Sequence, residues 1–421
     1  MTSRRPDRVL ALLASLLLGS AEGAWSADDE PEPEWSVLIA KLRQETYQRP
    51  GHAETRHQLA VAYNNYGVTL GKQGQWELAE EQLQEAMKID AANRQFRENL
   101  SYLYLNQAHA AYQQHHIVEA TSAIEKALSF NPTSAPAYHL RGDIEYDRQN
   151  LKQAKAMWQR SLALDPSQAE LAKRLEQLSR ELPVESKFER LSQAYFDLRY
   201  EEREESPVEF DVRDALLDAR RLVGADFAYW PKQKIVVLIY SAKSFRALRQ
   251  ETPDWVAGQF DGKIRVPLPD AQLDPSMVKQ ILSHEYTHAL VHDLTNDRCP
   301  VWLNEGLAEY EGGRFHPPEF PHLARAYQTN RLIPWSALSD QFSTVLPMEA
   351  VALGYQQSSS IVHFLVTRYG FWRIRRVLKA ISQGAPWENV LVAEYRLKPP
   401  RLEANWREWL PELLGKIPMR R

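Results

Sequence analysis

The chain has 421 residues, enough for two or three domains at roughly 100 to 200 residues each. Its 44% hydrophobic and 25% charged residues suit packed cores and exclude a chain that is disordered by composition. A net charge of −4 offers no general basic surface, so neither nucleic acid nor anionic membrane is expected as a partner.

The first element in chain order is an export signal. Arg4, Arg5 and Arg8 precede the apolar run VLALLASLLLG over residues 9–19, and the small residues SAEGA follow before the acidic DDEPEPE. A positive start, a short apolar run and a small-residue cleavage point predict a signal peptide over residues 1–23, cut after Ala21 or Gly23. The run is too short to cross a bilayer, which takes about 20 residues. No Cys follows it to carry a lipid. A periplasmic location is expected, with secretion to the medium as the alternative. The single Cys299 permits no intrachain disulfide, and no Cys/His pair marks it as a nucleophile. No second long apolar run occurs, so no membrane span is expected in the mature protein.

A repeat comes next. Residues 62–92, 104–132 and 138–166 align, with Ala120 and Ala154, Ala127 and Ser161, and Pro132 and Pro166 each 34 residues apart. That period, with a small residue in each helix and Pro after the second, resembles the tetratricopeptide repeat (TPR), a helix pair that buries its apolar stripe only by stacking on its neighbours. Ala79 lies 41 residues before Ala120, seven more than one period, which predicts about two extra helical turns between those units. Residues 34–50 read as a cap and 169–182 as a closing helix, so an all-α TPR solenoid is expected over 34–182. Its concave surface is expected to recruit a substrate or a protein partner.

Beyond Pro183 the period disappears. SQAYFDLRYE (192–201) and KIVVLIYS (234–241) are rich in β-branched and aromatic residues and read as strands, whereas EFDVRDALLDARRLVG (209–224) has helical spacing. The acidic EEREES at 201–206 reads as a solvated loop.

The chemistry concentrates in 282–310, LSHEYTHALVHDLTNDRCPVWLNEGLAEY. The Asp/Pro/Ser start at 274–276 and the apolar spacing after it predict a helix that places His284 and His288 one above the other on one face. Two imidazoles so placed can reach one Zn²⁺, and Glu285 can lean toward water at that ion: this is the HExxH arrangement. A third ligand is required. Glu305, 17 positions after His288, becomes available if the TNDRCP loop reverses the chain. His292 continues the four-residue spacing but drifts about 80° around the helix from His284, which makes it the weaker rival. The remaining histidines, in the repeats and in the Pro-rich loop RFHPPEFPH, read as surface or packing residues.

HEYTH followed by WLNEGLAEY resembles the gluzincin metallopeptidases, and most closely their peptidase-MA-like branch. The resemblance implies an α+β, thermolysin-like domain over residues 188–415, one Zn²⁺ per chain held by His284, His288 and Glu305, and Glu285 as general base in peptide-bond hydrolysis. It further implies Glu309 as the carboxylate orienting a ligand histidine, although thermolysin-like members usually carry Asp there. More weakly, it extends to WVAGQFDGKIRVPL (255–268) and GYQQSSSIVHFLVTRYG (354–370). The strand 262–267 then reads as the edge to which an extended peptide could pair, with Gly262, Ile264 and Val266 as substrate-binding positions. Tyr355 is the candidate hydrogen-bond donor to the oxyanion, with His363 and Arg368 as fallbacks. The expected function is an exported zinc metallopeptidase acting on a peptide or protein. The alternative is a cell-envelope TPR scaffold with a non-catalytic or structural zinc domain.

Overall fold

The computed structural model describes residues 35–201, 208–248, 259–260, 262–268, 274–315, 318–342 and 346–415. The signal segment 1–23, most of 255–261, the acidic run beyond Glu201 and His316 lie outside them. The chain divides into two compact units that part between Pro183 and Val184.

The first unit is entirely helical among its described residues: α1 (Trp35–Gln48), α2 (Ala53–Lys72), α3 (Trp76–Ile89), α4 (Arg94–Gln113), α5 (Ile117–Phe130), α6 (Ala135–Asp147), α7 (Leu151–Leu164) and α8 (Ala169–Glu185), the last turn of α8 falling in the second unit. Packing pairs α2 with α3, α4 with α5 and α6 with α7. The small residues of the 34-residue pattern lie where helices cross: Ala79, Ala120, Ala127, Ala154 and Ser161 are fully buried. One bond recurs from pair to pair with its partners exchanged. The Ser101 hydroxyl of α4 donates to the Ala127 carbonyl of α5 at 2.9 Å, and 34 residues on the Ser161 hydroxyl of α7 donates to the Ala135 carbonyl of α6 at 2.8 Å. The seven extra residues between Ala79 and Ala120 are accounted for within α4, the first helix of its pair. Helices α2 and α4 each run for 20 residues, whereas α6 runs for 13. The Asn93 side chain starts α4 by accepting from the N–H groups of Gln95 and Phe96.

The second unit is mostly helical around a small sheet. Its elements are β1 (Glu189–Ser192), β2 (Phe196–Tyr200), α9 (Val208–Phe227), β3 (Ile235–Ser241), α10 (Ala242–Leu248), β4 (Gln259–Phe260), β5 (Ile264–Leu268), α11 (Pro275–Thr295), α12 (Val301–Gly312), α13 (Pro321–Gln328), a 3₁₀ turn (Trp335–Phe342), α14 (Met348–Tyr369), α15 (Phe371–Ser382), α16 (Trp387–Tyr395) and α17 (Pro399–Gly415). The strand order is β1-β2-β3-β5-β4; β2, β3 and β5 run parallel, and the outer pairings are antiparallel.

Side-chain alternation divides the sheet into two faces. Leu198, Val237, Ile239, Ile264 and Val266 join the core shared with α9 and α11. Leu238 and Tyr240 face the other way, against Phe245 of α10 and Val184 and Phe188. That second face also carries buried charge: Lys263 and Arg265 are 1% and 0% exposed, and Arg265 is paired with Glu185 at 2.5 Å.

The expectation for 262–267 is corrected here. Strand β5 is not the sheet edge, because the two-residue β4 pairs with it through Gln259 and Phe260. Ile264 and Val266 are fully buried in the core, so their side chains cannot meet a substrate. Gly262 lies in an exposed turn at φ 95°, a left-handed conformation open to glycine at little cost.

Candidate metal centre

Helix α11 begins where its sequence says it should. Asp274 accepts from the Ser276 N–H at 2.9 Å, and Pro275 occupies the first turn, where no donor is required. Val278, Leu282, Tyr286, Ala289 and Leu290 bury one side of the helix in the core. The helix ends at Asn296, and Asn296 and Asp297 in succession adopt left-handed φ values of 50° and 58°, which turns the chain back. Helix α12 is then anchored by buried Trp302, Leu303 and Leu307. Gly306 sets its closest approach to α14, since a Cβ there would lie 2.6 Å from the Ser358 carbonyl oxygen.

This hairpin brings three ligand-type atoms together. His284 Nε2 and His288 Nε2 are 3.1 Å apart, and Glu305 Oε2 lies 3.4 Å from His288 Nε2 and 3.8 Å from His284 Nε2. Atoms bound at about 2.0–2.1 Å around one tetrahedral ion are about 3.4 Å from one another, so the set has the right size for Zn²⁺. Glu305 Oε2 is buried without a hydrogen bond, a costly state for a carboxylate oxygen unless a cation completes it. The chemistry of the donors and this orphaned oxygen both fit a divalent metal.

The electrostatics show how tightly the three are coupled. Burial pulls the His288 pKa down, but Glu305 and Glu285 outweigh it and raise the ring to about 9. His284 is likewise raised, burial being overcome by Glu309, whose Oε1 lies 3.4 Å from His284 Nδ1. The Glu305 carboxyl goes the other way: burial raises it, and the two histidines bring it below its ordinary value. Glu285 is 4% exposed, and its charge acts on both rings.

Comparison with known proteins bears on the same residues. A family model described as the Peptidase MA superfamily matches residues 231–412, and one described as a tetratricopeptide repeat matches 60–93. The chain carries a Peptidase MA superfamily domain. A tetratricopeptide repeat precedes it, within the helical array. Peptidase MA domains are usually metal-dependent, in keeping with the His/His/Glu group. Two solved structures resemble part of the chain: the first TPR of Spaghetti (RPAP3) bound to the HSP90 peptide SRMEEVD, at 26% identity, and the NMR structure of the first TPR domain of human RPAP3, at 25%. Each match covers 30% of this chain and 94% of the other, with a TM-score of 0.23, too low to carry a structural argument. No curated protein matches the chain.

The Peptidase MA domain places the other predicted residues as follows. Tyr355 of α14 lies beside the cluster: burial, then the charges of Glu305, Glu309 and Glu285, push its hydroxyl pKa well up. Its ring stands edge-on to Phe342 at 5.1 Å. His363 and Arg368, on the same helix, are elsewhere. His363 packs against Tyr310 and Phe320, and Arg368 is exposed near Glu412. Two turns down α11 from His284, His292 stands edge-on to Phe260 at 5.3 Å between ring centroids, outside the metal group. Cys299 is partly buried, and burial raises its thiol pKa, the opposite of an activated nucleophile.

Two residues of the site were not singled out from sequence. Asn304 precedes Glu305, and its side chain faces the His288 ring. Gly306 follows Glu305 and fixes the helix approach. Neither has a spacing signature; only their adjacency to the third ligand could have drawn attention to them.

Proposed function

We propose that the protein is an exported, zinc-dependent peptidase of gluzincin type whose helical array recruits the peptide or protein substrate or a partner. The observation that carries this reading is the convergence of His284 Nε2, His288 Nε2 and Glu305 Oε2 at 3.1–3.8 Å, with the buried Glu285 carboxylate next to them. An α+β catalytic domain over 188–415 is supported by the sheet with α9 and α11 on one face. An array over 34–182 is supported by the helix pairs. Export rests on the sequence of residues 1–23. No helix of the described residues is long and apolar enough to cross a membrane.

A zinc ion held by His284, His288 and Glu305 would supply Lewis-acid polarisation and make a water acidic enough to attack near neutral pH. The chain's own residues do the rest. Glu285 removes the proton from the attacking water and returns it to the leaving nitrogen, so one carboxylate serves as base and then acid. Glu309 holds the His284 Nδ1 proton and thereby leaves Nε2 free as a ligand. Tyr355, kept protonated by burial and three neighbouring carboxylates, donates a hydrogen bond to the developing oxyanion. The test is cleavage of a peptide library by the purified protein, abolished by a chelator and restored by zinc. Cleavage that a chelator does not touch would refute the reading.

A further inference from the structure

Helix α15 divides its residues sharply. Ile374, Val377, Leu378 and Ile381 are buried in the core. Its remaining positions carry Arg373, Arg375, Arg376 and Lys379, and the helix has no acidic residue, in a chain whose net charge is −4. Helix α16 packs beside it, and the two border an open groove of about 680 Å³, a volume that suits a ligand cleft. Arg376 and Lys379 line it from α15, with Gln383 just beyond the helix end, and Asn389 and Glu394 line it from α16. The other lining residues, Ala380, Ala385, Val390 and Ala393, are small or short, so no bulky side chain fills the space.

The charge in this groove is organised. Glu394, 9% exposed, is the one acidic lining residue, and it is already committed: it accepts from Arg376 Nε at 2.9 Å and lies 3.7 Å from Arg373 Nη1. The Arg376 guanidinium is thereby held at Nε and set over the Trp372 ring at 5.8 Å, while its terminal N–H groups make no hydrogen bond among the described residues. Lys379 is exposed and has no ion pair among the described residues. The exposed side-chain amides of Gln383 and Asn389 are likewise unbonded there. An ordered guanidinium, an ammonium and two amides together select carboxylates on a backbone that can itself donate and accept hydrogen bonds.

We infer that the α15–α16 groove is a docking site for an acidic polypeptide segment. One carboxylate of the segment pairs with the terminal nitrogens of Arg376 and another with Lys379, one turn along α15. Gln383 and Asn389 hydrogen-bond the segment's backbone, and the alanines let that backbone lie close to both helices. An anionic membrane surface fits the same charge but not the same shape. A helix that lies on a bilayer inserts its apolar face, and that of α15 is already in the core. The inference uses no residue of the metal group and stands whether or not zinc binds.

The test measures fluorescence anisotropy of a fluorescein-labelled decapeptide alternating Glu with Ala, added to the full chain at low salt and checked intact by mass spectrometry. A peptide with Gln in place of Glu is the neutral control. Wild type is expected to bind the Glu peptide, more weakly as salt rises, and not the Gln peptide. Lys379→Glu exchanges an attraction for a repulsion of similar size and is expected to weaken binding by about 5- to 30-fold. Ala393→Leu leaves the charge alone and fills the groove, and it is expected to weaken binding comparably. Arg375→Glu makes the same charge change on the same helix at an exposed residue outside the lining, and should cost less than about twofold. Circular dichroism melts check that each variant is folded. Equal loss in Arg375→Glu and Lys379→Glu would overturn the inference in favour of diffuse charge. Unchanged affinity in both Lys379→Glu and Ala393→Leu, or no selection of Glu over Gln peptide, would also overturn it. So would binding to vesicles containing phosphatidylglycerol without binding to the peptide, which would assign the face to a membrane.

Discussion

Replacing Gly306 with Ala probes how helix packing sets the metal group. The added Cβ would lie 2.6 Å from the Ser358 carbonyl oxygen, 2.9 Å from the Ser358 carbonyl carbon and 2.9 Å from Val362 Cγ2. Two of these are backbone atoms inside α14, so no rotamer change relieves the contact. Ordinary contact begins near 3.4 Å, so α12 must move by about 0.8 Å at this residue. Overpacking of this kind costs about 1–3 kcal/mol, and Ala recovers up to about 1 kcal/mol over Gly in a helix. A net destabilisation of up to about 2 kcal/mol is expected in urea unfolding. The displacement also moves Glu305, the adjacent residue, by several times the roughly 0.2 Å tolerance of a ligand distance. Zinc affinity is therefore expected to fall by at least about tenfold. A Gly306→Ala protein with wild-type unfolding midpoint and wild-type zinc affinity would refute the close-approach argument.

Other consequences concern buried charge. Burial lowers the His363 pKa to about 4 from 6.5, so the folded state holds this ring neutral while the unfolded chain protonates it below 6.5. Its stability contribution is complete above pH 6.5 and is lost as pH falls toward 4, with a ceiling of about 3 kcal/mol. Between pH 7 and 5 the wild type should lose about 2 kcal/mol more than His363→Phe; identical pH profiles would contradict this. Glu185, 3% exposed, is the carboxylate partner of the fully buried Arg265, and the Tyr240 hydroxyl donates to it at 2.6 Å. Glu185→Ala removes the carboxylate that this buried guanidinium faces and should destabilise the second unit by about 3–5 kcal/mol, read as a lowered melting temperature. A shift of less than a degree would show that the pair is dispensable.

The parts legible in the sequence were those with a period or a local signal. The 34-residue spacing located the helix pairs, the Asp274–Pro275–Ser276 start located α11, and the four-residue step put His284 and His288 on one face. The seven-residue excess was visible, but its place within α4 was not, because a longer helix and a longer connection leave the same spacing. The sheet was less legible. Strand β5 looked like an edge because β4 is two residues long, too short to leave a pattern, and the burial of Ile264 and Val266 depends on tertiary packing against α9 and α11, which the strand's own residues do not record. Asn304 and Gly306 escaped notice for a related reason: one neighbours a side chain of another helix, and the other neighbours the backbone of α14.

The most direct test of the metal-dependent reading is metal content by mass spectrometry together with peptide cleavage, for wild type and Glu285→Gln. Glu285 supplies proton transfer and no ligand atom in this account, so both proteins should carry one zinc per chain and only the wild type should cleave. Absence of zinc from the wild type, or equal cleavage by the Gln variant, would contradict it.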